Sequence, residues 1–459
     1  MNLLHSSLQF STVRTRFLPV RSSLLPFTNQ NAKYHRELEA AVDVVERACR
    51  ICLDVKKSLF SSEGSVVEKN DNTPVTVADF GVQALVSLGQ NFWFVFLLKE
   101  LSKAFPSIPL VAEEDSDFVR SNNLVDSVVS VVTDKASSSD KPLTNADILE
   151  AIDRGGKSAI VYGNRPATYW YHRFALVFAS RLAANSQRMQ VLDPIDGTRG
   201  FLKGSEALYV VGLALVVEGE IVLGVMGCPN WQEAISYKST TDVQGSESMP
   251  SRSGIIMVAL VGCGTWARRL SNLMGESAKV PNGWTRRFVD GCNLVPKARF
   301  CIPDSQTWES LPLSAFFSAT NDGDSVSNKE IVLLPTCCGR FILIHLLFNY
   351  SVLLICAYFN FDCQGVVIKS LCKYLMVASG RASVFILRAR TQTIIKAWDH
   401  AVGIICVHEA GGKVTDWKGN ELDLAADQVE RRILFPSGGV IVSNGNVHNQ
   451  IQEMISSTS

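Results

Sequence analysis

The chain carries no net charge: Lys and Arg total 44 against 44 Asp and Glu, and charged residues fill only 19% of its 459 positions. That balance excludes a global field drawing the protein to nucleic acid or anionic lipid, so an anionic substrate must be met by local groups. A second C-x-x-C is also missing. The 12 cysteines are scattered, and the one such pair, Cys49 to Cys52, lies in an amphipathic helical stretch without histidines at zinc spacing. These read as core thiols. Cys337 and Cys338 are adjacent and cannot readily bond to each other, which points to reduced intracellular thiols rather than a disulfide framework. GCGTW (262–266) lacks the full G-x-G-x-x-G context of a dinucleotide site. No internal repeat is apparent.

The N-terminal stretch has no acidic residue before Glu37, although Arg14, Arg16, Arg21, Lys33, Arg36 and several serines precede it. It also has no compact apolar core before a small-residue cleavage site, which excludes a secretory signal. Residues 1–36 have the composition of an organellar transit peptide, read as mitochondrial with the plastid as alternative.

What is present is ample apolar material: 47% hydrophobic residues over a length suited to two domains, at roughly 100–200 residues each. Leu38, Val42, Val45, Cys49, Cys52 and Leu59 recur at helical spacing and predict a one-faced helix. The turn-rich stretch that follows runs through Pro74 to Asp79 and opens a second helix. IPLVAEED (108–115) is an apolar strand ending in three acids. ALYVVGLALVVEGEIVLGVMG (207–227) reads as two strands joined at Glu218-Gly219-Glu220, a hairpin. The polar stretch 239–254 is the best domain boundary, giving an α+β part over 37–255 and an α/β part over 256–459 that IIMVALVG opens. The second part ends in AWDHAVGIICVHEAGGKVTDWKG and the strand-like GGVIVSNG.

The centre of the chain holds VLDPIDGTRGF (191–201). Val191-Leu192 is a short buried strand, Pro194 stiffens the turn, and Gly197 permits close backbone approach. Asp193 and Asp196 then meet on one side, where two carboxylates attract a hard cation such as Mg²⁺. Gly197 and Thr198 expose backbone N–H groups at a helix start, a natural phosphate site. The bland alternative is a capped acidic turn. Three further stretches end in acids at element edges: TPVTVAD (Asp79), LVAEED (Glu113, Glu114, Asp115) and AWDHAVG (Asp399).

In that order, TPVTVAD, VAEED, VLDPIDGTRGF and WDHAVG resemble the motif set of the lithium-sensitive, magnesium-dependent phosphomonoesterases. That superfamily includes inositol monophosphatases, fructose bisphosphatases and 3'(2'),5'-bisphosphate nucleotidases. DPIDGTRGF and SLCKYLMVASGRASVFILR (370–388) look most like the nucleotidases, in particular plant organellar ones acting on 3'-phosphoadenosine 5'-phosphate (PAP). The resemblance implies a layered αβαβα sandwich with a site between its two parts. It implies two or three Mg²⁺ ions held by Glu113, Asp193, the Ile195 carbonyl, Asp196 and Asp399. It makes Asp79 with Thr198 the pair that orients and deprotonates the attacking water, and Gly197 with Thr198 the phosphate cradle. Ser370, Lys373 and Arg388 become nucleotide contacts; otherwise they are polar residues on a helix and a strand. Family enzymes have Gly where Ala112 stands, a small change. The reaction implied is removal of the 3'-phosphate of PAP to give AMP, with 3'-phosphoadenylyl sulfate as a second substrate and an inositol phosphate as the alternative. The partner expected is a small nucleotide and not a nucleic acid. His400 and His408 have no metal-like spacing and read as satisfied or solvated.

Three segments depart from the family pattern: 89–99, 171–190 and 340–369. The family's text rejoins when each is removed, as translated intron sequence would allow. The third contains FILIHLLFNYSVLLICAYFNF, long enough to cross a bilayer of roughly 30 Å. A span there would put Asp399 across the membrane from Glu113, Asp193 and Asp196, so no stable span is expected. The contrary reading is a catalytically dead, membrane-associated isoform.

Overall fold

A computed structural model gives the architecture. It describes residues 25–26, 33–61, 67–68, 74–97, 110–135, 143–156, 188–203, 208–231, 254–270, 283–303, 306, 310–314, 332–333, 370–390, 393–424 and 432–458. The first elements among the described residues are α1 (His35–Ser61), a ribbon of β1 (Val67–Glu68) and β2 (Pro74–Val75), and α2 (Val77–Leu97). Then come β3 (Leu110–Ala112), α3 (Ser116–Ser121), α4 (Val125–Thr133), α5 (Asn145–Gly155), β4 (Arg188–Asp196) and α6 (Thr198–Lys203). The strands β5 (Val210–Val217), β6 (Glu220–Cys228), β7 (Ile255–Leu260), β8 (Gly264–Arg269) and β9 (Thr285–Arg287) follow. Later described elements include β10 (Arg299–Cys301), β11 (Val332–Leu333), α7 (Ser370–Ala378), β12 (Val384–Arg388), β13 (Ile395–Lys396), α8 (Ala401–Glu409), β14 (Gly412–Asp416), β15 (Ile433–Leu434), β16 (Gly439–Asn444) and α9 (Gly445–Thr458).

Seven strands form one sheet in the order β3-β4-β5-β6-β7-β8-β9, and five form another in the order β11-β10-β12-β16-β14. In the first, only β3 and β4 run parallel. The β5–β6 hairpin turns at Glu218 and Gly219, both at positive φ (55° and 86°), as a two-residue turn matching strand twist requires. One face of the large sheet packs on α1 and α2 through Leu38, Val45, Cys52, Leu213, Val225 and Val258. Its other face meets α7 and α8 through Val210, Ala214, Leu371, Val402 and Ile405, and the far side of those helices meets Phe385, Val414 and Val442 of the second sheet. The outer face of that sheet is closed by Val447 and Ile451 of α9 against Phe300 and Ile441. Helix, sheet, helix, sheet, helix: these are the five expected layers. Each of the buried Val, Leu, Ile and Phe side chains among these contributes roughly 1.5–3 kcal/mol. The helical layer lies very close to the large sheet. A Cβ on Gly212 would stand 2.4 Å from Leu371 Cδ1 and 2.8 Å from Val402 Cγ1.

Cys49 and Cys52 are buried free thiols of α1, as expected. IIMVALVG, expected to open the second part, pairs as β7 with β6, so the large sheet takes in strands on both sides of residue 255. Hairpin pairing of consecutive strands explains it: β7 continues a meander that needs no new core. Of the three atypical segments, 340–369 lies outside the described residues. In the first, α2 continues through Leu97, and in the second, Arg188, Met189 and Gln190 are the opening residues of β4, with Met189 buried. Most of 1–36, and Cys337 and Cys338, also lie outside the described residues. Among the described residues no helix is long and apolar enough to cross a membrane.

Candidate active site

β4 is buried from Val191 to Asp196. On a regular strand, residues three apart face opposite sides. Pro194 has no N–H for the ladder, and the register shifts by one between the Asp193–Gly212 and Asp196–Val210 pairs. This irregularity re-aims the strand so that both carboxylates serve one site. Gly197 follows at φ 99°, a left-handed conformation other residues rarely adopt, and turns the chain into α6.

Asp193 and Asp196 are completely buried, and Asp399, partly buried ahead of α8, joins them: one carboxylate oxygen from each lies within 4.8 Å of the others. Two buried carboxylates this close to a third repel unless protonated or neutralised by a cation. An oxygen-only donor set suits a hard divalent ion, so the residues fit one. Glu113 stands outside that group of three, partly buried just past β3. Ala112 pairs in parallel with Leu192, so Glu113 and Asp193 leave neighbouring strands at the same end.

Asp79 sits in the first turn of α2, held by Thr76. Asp79 Oδ2 accepts from the Thr76 N–H at 2.8 Å and the Thr76 hydroxyl at 2.7 Å, while Thr76 Oγ1 accepts from the Ala78 N–H at 3.2 Å. This reciprocal cap ends the extended TPVT run and starts the helix. The Thr198 hydroxyl lies 3.3 Å from Asp79 Oδ1 and 3.1 Å from the Ile195 carbonyl oxygen, and its one proton serves either acceptor. Asp79, Thr198 and the Ile195 carbonyl thus form one contiguous set.

The inositol monophosphatase family model matches residues 34–248 and 349–458. The chain belongs to the inositol monophosphatase family. The family is metal-dependent, which accords with the three convergent acids. Among relatives of this family member is the "Putative 3'(2'),5'-bisphosphate nucleotidase, mitochondrial" of Arabidopsis thaliana, 57% identical over 98% of this chain and 94% of that protein. The 3'(2'),5'-bisphosphate nucleotidase of Oryza sativa is 31% identical over 90% of this chain and 91% of its own length. A solved structure of CysQ from Bacteroides thetaiotaomicron covers 90% of this chain and 98% of its own at 15% identity, with a TM-score of 0.42.

The second part supplies groups behind the acids of this family member. Ser370 opens α7, and Asp196 Oδ2 accepts from the Leu371 N–H at 2.9 Å and the Cys372 N–H at 3.3 Å. Lys373 is buried, its Nζ 5.6 Å from the Phe385 ring centroid. His400, next to Asp399, is buried with Nδ1 2.8 Å from the Tyr374 hydroxyl. Burial, then the charge of Lys373, pushes this imidazole down to about 3, so it is neutral; burial, then Asp399, pushes the Tyr374 phenol up. His408 Nε2 accepts from the Val414 N–H at 3.2 Å. Both histidines are satisfied, as expected. Arg388 is exposed at the end of β12, its backbone N–H donating to Gln306 Oε1 at 2.9 Å and its guanidinium to the Ser310 carbonyl. Gly262 and Gly264 of GCGTW donate backbone N–H groups to the Glu409 carboxylate at 2.9 and 2.8 Å, a brace between a hairpin and α8.

Sequence reading overlooked Thr76 and the α7 N-terminus. The first had a local signal, since T-x-x-D ahead of an apolar helix is a capping pattern. The second had none, because the donors are main-chain groups of any residue.

Proposed function

We propose that this chain is a 3'(2'),5'-bisphosphate nucleotidase that hydrolyses the 3'-phosphate of PAP to AMP and phosphate in the mitochondrion. The convergence of Asp193, Asp196 and Asp399 beside the Asp79–Thr198 pair carries the chemistry. The relatives named for this activity, one of them mitochondrial and 57% identical, support the substrate and the compartment. Asp193, Asp196 and Asp399, with Glu113 and the Ile195 carbonyl, are the residues to hold two or three Mg²⁺ ions. Such ions supply positive charge that neutralises phosphate and leaving oxygens and make water more acidic.

The chain's own groups then divide the work. Thr76 fixes Oδ2 of Asp79, which presents Oδ1 to the Thr198 hydroxyl. The hydroxyl takes a proton from the attacking water as it passes its own to Asp79, and water oxygen bonds to phosphorus as the bond to the 3'-oxygen breaks. The departing 3'-oxygen takes a proton from solvent as Asp79 releases the one it gained, so the products are the ribose 3'-hydroxyl and phosphate. Backbone N–H groups of Gly197 and Thr198 face the phosphate oxygens, and no covalent enzyme intermediate forms. Ser370, Lys373 and Arg388 are assigned to the nucleotide, and 3'-phosphoadenylyl sulfate is a second substrate.

Phosphate release from PAP and from inositol monophosphate, with Mg²⁺ and with Asp196→Ala as control, tests this reading. Good turnover of the inositol phosphate with none of PAP would overturn the substrate. The segments 89–99, 171–190 and 340–369 are proposed to be foreign to the working enzyme, which requires a chain lacking them to be the more active form. Equal activity of the full chain refutes that, and deletion of 171–190 also removes three residues of β4.

A further inference from the structure

The amide of Gln83 is completely buried and makes three hydrogen bonds to main chain. Its Nε2 donates to the Glu114 carbonyl at 2.6 Å and to the Ile152 carbonyl at 2.8 Å, and its Oε1 accepts from the Glu114 N–H at 2.9 Å. One side chain therefore holds both polar groups of a single backbone unit and ties it to α5. Only an amide can do this, since it alone offers two donors and an acceptor in one plane. Gln83 lies four residues after Asp79 on α2, on the same side of the helix. Glu114 follows Glu113. The clamp thus joins the helix that carries Asp79 to the strand end that carries Glu113.

The alternative is that Gln83 is a satisfied core amide whose loss merely loosens the fold. Its targets argue for more. It reaches across 31 residues to the segment just past β3, where it meets both the carbonyl and the N–H of Glu114, next to Glu113. Without it, the Glu114 carbonyl and N–H lose the hydrogen bonds that the amide supplies, which favours a shift of the backbone next to Glu113. Next to this clamp, a Cβ on Gly156 would stand 2.1 Å from the Glu114 carbonyl oxygen, so the segment is also packed from the α5 side.

We propose that Gln83 is a positioning residue that sets the placement of Glu113 relative to Asp79 and thereby tunes cation affinity. This rests on the assignment of Glu113 as a cation ligand in the proposed function. Supporting groups behind metal ligands typically change affinity by about 10–100-fold.

The test uses the full-length chain, Gln83→Met, which keeps length and loses all three bonds, and Gln83→Glu, which keeps the acceptor and loses both donors. Free Mn²⁺ is titrated by electron paramagnetic resonance, and the Mg²⁺ dependence of PAP hydrolysis is split into half-saturation and kcat. The expected result is Mn²⁺ binding weakened at least ~10-fold in folded Gln83→Met, with half-saturating Mg²⁺ raised by a similar factor, and a loss in Gln83→Glu as well. A folded Gln83→Met with Mn²⁺ affinity within about twofold of the parent overturns the proposal. If Gln83→Met does not fold, Gln83→Glu decides by the same criterion; if neither folds, Gln83 is a general core residue and the positioning role is lost. A parent that binds Mn²⁺ yet leaves PAP intact removes the nucleotidase reading and leaves this inference standing.

Discussion

Asp196 and Leu371, 175 residues apart, are joined by a 2.9 Å hydrogen bond from the Leu371 N–H to Asp196 Oδ2. The same oxygen accepts from Cys372, so a buried carboxylate of the large sheet caps the first turn of α7. Negative charge at a helix N-terminus is stabilised by the unsatisfied N–H groups there. One oxygen of Asp196 is thereby committed to the fold while the residue converges with Asp193 and Asp399.

Asp196→Asn keeps an oxygen for the cap and loses the charge, whereas Asp196→Ala loses both. Both are expected to lower kcat on PAP by on the order of 10³-fold, the equivalent of several kcal/mol of charge stabilisation. Only the alanine variant should lose a further ~1 kcal/mol of stability from the missing cap, which urea unfolding of the pair reads directly.

Thr198→Val removes the hydroxyl that faces Asp79 Oδ1 and retains the shape. Turnover should fall about 100-fold or more while Thr198→Ser keeps most of it. Equal activity of the valine and serine variants would show that the hydroxyl carries no proton.

Addition of Mg²⁺ should raise Tm, because an ion that binds only the folded site adds about 2.7 kcal/mol at 100 times its Kd. A chelator reverses the shift, and Asp193→Asn should abolish it. Thermal scans of parent and variant, without substrate, check this.

Gly156→Ala places a methyl group 2.1 Å from the Glu114 carbonyl oxygen and 3.0 Å from Asp115 Cα, both main-chain atoms that cannot swing aside. A cost of about 1–3 kcal/mol is expected, visible as a lower midpoint in denaturant. An unchanged midpoint would mean that the α5 end is not packed against the acidic segment.

His448 is buried, with Nδ1 2.7 Å from Ser443 Oγ and Nε2 2.9 Å from Thr415 Oγ1. Burial first, then Lys413 and His408, pushes it from the ordinary 6.5 down to about 4. Between those values the unfolded chain takes up a proton that the folded protein refuses, so stability falls as pH drops, by at most ~1.4 kcal/mol per pH unit. Above 6.5 this residue has no such effect. Tm measured from pH 7 to pH 4 should fall less steeply in His448→Gln than in the parent.

Much was written locally. The spacing of Leu38, Val45, Cys49 and Cys52 gave α1 and its buried face, and Glu218-Gly219 gave the hairpin turn. In DPIDGT, a proline that cannot pair, a glycine at positive φ and a threonine opening a helix specify a bent acidic strand end within six residues. The chain's alternation of apolar and polar residues can encode such features because they are decided within a few residues of backbone. Other relations had no local trace. β7 joined the large sheet, β4 began at Arg188, Asp399 met Asp193 and Asp196, and Gln83 and the Leu371 N–H found their acceptors only through packing across layers. Sequence alone singled out the acidic groups to examine; tertiary structure decided which of their oxygens share a site. Convergence of distant carboxylates depends on how closely the helical layer packs on the large sheet, a property of the whole core and not of any one motif.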